Sequence, residues 1–87
     1  MESLLCLKDL AVGECAMVWK LKNRVELRRR LRDMGLVEGT CVKCIGKSPA
    51  GDPAAYLVRG TVIAIRKYDA RQIIVTPPTS KELLPWD

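Results

Sequence analysis

Turn formers and charges interrupt this chain so often that no apolar stretch lasts more than a few residues. A membrane-spanning helix needs about 20 consecutive apolar residues and a signal-peptide core about 7–15, so neither fits the pattern. What fits is a succession of short strands separated by tight turns. Cys15 to Leu21 reads as one, with Cys15, Met17, Trp19 and Leu21 on one face and Ala16, Val18 and Lys20 on the other. Thr40 to Gly46 reads as the next, closed by the turn-forming run Ser48-Pro49-Ala50-Gly51-Asp52-Pro53. Ala55 to Val58 and Thr61 to Ile65 follow, separated by a tight bend or bulge at Arg59-Gly60. Gln72 to Thr76 is the last, stopped by Pro77-Pro78, and Lys67 to Arg71 before it is a polar turn or a single helical turn.

Helical periodicity is confined to Arg24 to Met34. There Leu27, Leu31 and Met34 sit at i, i+4 and i+7, a stripe about 60° wide. Asn23 reads as its N-cap with Glu26 three residues on. Gly35 supplies the left-handed residue after its end, and Leu36 the apolar contact that follows. Eighty-seven residues make one domain with a thin core, because a chain this size buries only about 60–65% of its unfolded surface. The expected fold is mainly β: about five strands with one α-helix in the first crossover, curled into a small barrel over residues 1–76. Leu27, Leu31, Met34, Val18, Val42, Val58, Ile63 and Ile73 are its expected inner residues. Residues 77–87 are a tail, where Thr79 and Glu82 have the capping spacing of a short helix ahead of Leu83, Leu84, Pro85 and Trp86.

Composition removes several function classes. The chain has no histidine, which excludes imidazole catalysis and any metal site that needs a His ligand. Ser3, Ser48 and Ser80 have no general base at hand, and Asp9, Glu14, Asp52 and Asp69 are scattered rather than paired. The expectation is a protein that is not an enzyme and needs no cofactor. Four cysteines, in a chain without an export signal, read as reduced, mostly buried thiols in a cytoplasmic protein. Cys41 and Cys44, three apart on a strand, point to opposite faces and cannot easily grip one ion, and Cys6 and Cys15 lack knuckle spacing.

The net charge is +5, and residues 24–33 carry five arginines against Glu26 and Asp33. Glu26 can pair with Arg30 and Arg29 with Asp33 at i+4, while Arg28 and Arg32, one turn apart on the shoulder of the apolar stripe, can clamp an acidic partner or a phosphate. So few charges neutralise only a few phosphates, and an aromatic content of 5% leaves little for base stacking.

The segment Arg29-Arg30-Leu31-x-x-Met34-Gly35-Leu36-x-x-Gly39-Thr40 resembles the helix-turn-strand signature of the FeoA family. Pro49-x-Gly51-Asp52-Pro53 is similar to that family's GDP turn, and Ile63-Ala64-Ile65-Arg66-x-x-Asp69-Ala70 to the segment that follows it. Order and spacing match over roughly residues 3 to 76. The resemblance implies a small SH3-like β-barrel, also found appended to iron-dependent repressors, in a cytoplasmic accessory of bacterial ferrous-iron uptake that acts on the transporter FeoB. Candidate partner-binding residues are Arg28, Arg32, Asp52, Leu83, Leu84 and Trp86; Leu27, Leu31, Met34, Gly35, Gly39, Gly51 and Pro53 are expected to be structural. The alternatives are a nucleic-acid-binding barrel and a metal-sensing module using the four thiols. The apolar tail is expected to fold back on the barrel, or to dock on a second copy or on the partner.

Overall fold

The computed structural model describes residues 5–76. Six strands form one antiparallel sheet in the order β1-β6-β2-β3-β4-β5. They are β1 Leu5–Cys6, β2 Cys15–Leu21, β3 Cys41–Lys47, β4 Ala54–Val58, β5 Thr61–Ile65 and β6 Ile73–Val75. Helix α1, Val25–Asp33, crosses from β2 to β3, and the single-turn α2, Lys67–Ala70, joins β5 to β6. The mainly β expectation holds, with β2 and β5 at their anticipated bounds. β1 is the addition: two residues are too short for any periodicity to show, and they are held by pairing Leu5 with Val75 and Cys6 with Ile74. Among the described residues no ladder joins β5 back to β1, so the sheet curls around its core without sealing.

One buried cluster fills the inside, and Val18, Val42, Val58, Ile63 and Ile73 all belong to it. The alternation expected along β2 fails at one place. Val18 pairs with Val75 and Lys20 with Ile74, leaving Trp19 as an extra residue against β6. A bulge shifts the side-chain phase by one. Ala16 and Val18 therefore point inward before it and Leu21 after it, while Met17 and Trp19 are 44% and 58% exposed. A second shift, between Cys44 and Gly46 in β3, leaves Ile45 on the outside.

Helix α1 begins at Val25, with Arg24 at the N-cap position and no side-chain cap. The expected cap, Asn23, is buried and instead donates from Nδ2 to the Asp69 carbonyl at 3.0 Å, tying the start of α1 to α2. Leu31 is buried and Leu27 packs against the core from its edge. Met34 departs from expectation: the helix ends at Asp33, Met34 leaves helical geometry at ψ 2, and its side chain is 37% exposed. The end itself is built as the sequence implies. Leu36 N–H donates to Leu31 O and Gly35 N–H to Arg32 O, both at 2.9 Å, with Gly35 at φ +100. These two bonds satisfy carbonyls that a helix terminus otherwise leaves open.

Among the described residues Tyr56, on β4, is the largest fully buried side chain, and its hydroxyl donates to the Leu7 carbonyl at 3.4 Å. Burial pushes its ionisation up to about 12 from an ordinary 10. A phenol whose pKa is raised on folding stabilises fully below pH 10 and loses that contribution as pH rises towards 12. Stability should fall by about 2–3 kcal/mol across that window. Tyr56→Phe should flatten this part of the profile, measured as urea midpoint against pH; an unchanged slope would show that another group is responsible.

Candidate functional site

The arginines of α1 do not pair as their spacing implied. Neither Glu26–Arg30 nor Arg29–Asp33 is an ion pair among the described residues. Arg32 Nη2 instead meets Glu38 Oε2 at 3.3 Å, beyond the Gly35 turn, with both side chains well exposed. The Glu38 carboxyl is held below its usual range, first by its own backbone N–H and then by the charges of Arg32 and Arg28. Arg28 Nη1 donates to the Asn23 carbonyl at 3.3 Å. Arg24, Arg29 and Arg30 are exposed and hold no ion pair among the described residues. The exposed Arg32–Glu38 pair contributes little to stability, so an acidic partner can exchange it for its own carboxylates. The result is a basic face running from Arg24 to Arg32.

Beside it lies a groove of about 310 Å³ lined by Arg24, Leu27, Tyr68, Asp69 and Gln72. Tyr68 is 64% exposed, and the Arg71 guanidinium sits 5.4 Å from its ring centre. Val25 is exposed on the same end of α1. Sequence reasoning passed over Tyr68 and Arg71 because it treated residues 67–71 only as a connector. An aromatic and an arginine three apart in a short turn was the available signal.

Asp52, expected to meet a partner, is engaged inside the chain. Its Oδ1 accepts the Lys67 N–H at 2.8 Å, and its own N–H donates to Ser48 Oγ at 3.0 Å. The turn thereby braces the β3–β4 connection against the start of α2. Gly51, at φ +84, donates to the Ser48 carbonyl at 2.7 Å, and the Asp52–Pro53 bond is cis. Gly39, at φ +88, donates to the Val18 carbonyl at 2.8 Å, holding the α1–β3 loop on β2.

Cys44 points into the core and Cys41 lies half-buried on the opposite face, the disposition their spacing requires. Cys15 is buried and Cys6 half-buried. Among the described residues no group of three or more Cys, Asp or Glu could hold a metal ion. Leu83, Leu84 and Trp86 lie outside the described residues.

The larger groove, about 430 Å³, is lined by Met17, Gly39, Thr40, Cys41 and Arg59. Arg59 and Gly60 form the two-residue turn of the β4–β5 hairpin at φ 52 and φ 82. Both central residues of such a turn need positive φ, which favours Asn-Gly or Gly-Gly and costs an arginine roughly 1–2 kcal/mol. Strained residues cluster at functional sites. Local reading could not find this groove, because strand, loop and hairpin tip come together only in the fold.

No helix among the described residues is long and apolar enough to cross a membrane. The model of the FeoA domain matches residues 5–77 of this chain. A curated relative, the Fe(2+) transport protein A/Fe(2+) transporter FeoB fusion protein of Porphyromonas gingivalis, is 29% identical over 69 residues. That match covers 79% of this chain but only 8% of the relative. The solution structure of a FeoA protein from Chlorobium tepidum is similar, with a TM-score of 0.80 and 33% identity over 83% of this chain and 69% of that one. FeoA of Stenotrophomonas maltophilia, solved with zinc and described as an SH3 domain protein, has a TM-score of 0.72 and 29% identity. It is matched over 82% of this chain and 88% of its own.

Proposed function

This chain belongs to the FeoA family, and from that premise we propose that it is a non-enzymatic cytoplasmic accessory of ferrous-iron uptake that binds the cytoplasmic part of FeoB and modulates it. The observation that carries this reading is the fused relative from Porphyromonas gingivalis, whose name places both components in one polypeptide. A covalent link holds two modules at an effective concentration on the order of millimolar. A separate accessory must supply through its own surface what the fusion supplies by tethering.

The basic face of α1 is the surface proposed for that contact, with Arg28 and Arg32 at its centre. Complementary charge steers encounter and fixes orientation, and is sensitive to salt. The test is capture of purified FeoB cytoplasmic region on the immobilised full chain. Wild type should bind, more weakly as salt rises. Arg28→Glu/Arg32→Glu should weaken binding by about tenfold or more. Thermal stability should fall only modestly, because the Arg32–Glu38 pair is exposed and Arg28 makes a single part-buried hydrogen bond. No binding by the wild type would sink the FeoB reading, whereas equal binding by the variant would move the contact to another face.

A further inference from the structure

We propose that the groove between β2, β3 and the β4–β5 hairpin tip is the docking site of this chain's own segment 79–87. The inference does not depend on FeoB.

Position comes first. Thr76 is bonded to Met17 in both directions: Thr76 N–H to Met17 O at 2.9 Å, and Met17 N–H to Thr76 Oγ1 at 3.1 Å. Met17 itself lines the groove. The chain therefore leaves the described fold one strand spacing, about 5 Å, from the groove. Seven Cα-to-Cα steps lead from Thr76 to Leu83, a reach of up to roughly 25 Å. The molecule measures 34 × 29 × 28 Å, so the groove lies well within that span. Tethering at so short a range gives the segment an effective concentration on the order of millimolar, enough for a motif of weak intrinsic affinity.

Chemistry comes second. The segment reads Glu82-Leu83-Leu84-Pro85-Trp86-Asp87, apolar groups bracketed by two acids. The groove offers the half-exposed Met17 and the Cys41 side of β3 as an apolar floor, with Arg59 at its rim. Arg59 holds no ion pair among the described residues and keeps a positive φ that an asparagine or glycine would adopt more cheaply. A carboxylate from Glu82 or Asp87 gives that arginine a purpose. Covering two leucines and a tryptophan on such a surface is the driving force.

The experiment uses the full chain with Trp19→Phe, which leaves Trp86 as the single tryptophan. Acrylamide quenching of Trp86 should be severalfold weaker in the folded chain than in urea, and should not change on dilution. Met17→Lys and Arg59→Glu, each at an exposed position, should restore severalfold stronger quenching while circular dichroism confirms the fold. Quenching in the folded Trp19→Phe chain equal to that in urea overturns the proposal. Protection that disappears on dilution means docking on a second copy, and overturns docking within one chain. Protection that survives both groove variants places the segment on another face and overturns the site.

Discussion

Leu31→Ala is expected to lower stability by about 2–5 kcal/mol, read as a fall in urea midpoint at unchanged slope. A domain of this length holds roughly 4–13 kcal/mol in all, so the loss can unfold a substantial fraction at physiological temperature. The expected size follows from how little else fastens the helix. Leu31 is the only buried side chain of α1, with Leu27 packed at the core's edge. Removing it leaves α1 attached chiefly through the Asn23–Asp69 hydrogen bond and the turn at Gly35. Amide exchange should therefore accelerate more in α1 than in β3 or β4. Equal protection throughout, at an unchanged midpoint, would show that α1 is not fastened by that side chain.

Gly35→Val should cost about 2–4 kcal/mol, more than the same replacement at an ordinary surface glycine. A β-branched residue at φ +100 is strained by its own backbone, whatever room surrounds it. Here the room is also limited, because a Cβ on Gly35 would meet Arg59 Cδ at 3.2 Å. Gly35→Asn should be milder, since asparagine tolerates positive φ and the Arg59 side chain can shift. Thermal melts of the two variants side by side check the order. Asparagine as costly as valine would mean that the contact with Arg59, rather than the dihedral, sets the penalty.

These two positions belong to the part of the fold that is legible in sequence, and the reason is range. The stripe of α1, the glycine that ends it and the turn-bounded spans of β3, β4 and β5 are set by residues within a few places of one another. What escaped depends on residues far apart. Trp19 became a bulge because of how β6 registers against β2. Asn23 gave up capping for a carbonyl 46 residues away, and Asp52, still exposed, accepts from an amide 15 residues away. The basic face was visible as composition, but its pairing was not. Arg32 found Glu38 only because the Gly35 turn folds the chain back past the helix end. The groove at Met17 and Arg59 had no local signature at all.

The pairing of Leu5 with Val75 has a mechanical consequence. Leu5 and Val75 stand together at the same end of the β1–β6 ladder, so the chain enters β1 and leaves β6 side by side. In an antiparallel pair loaded from that end, tension breaks the rungs in turn instead of shearing them all at once. The β1–β6 seam is thus a zipper pulled from its open end, and should yield at low force. Unpulled, the same arrangement lets the domain sit between flanking segments as a loop sits on a rope, adding bulk without adding length.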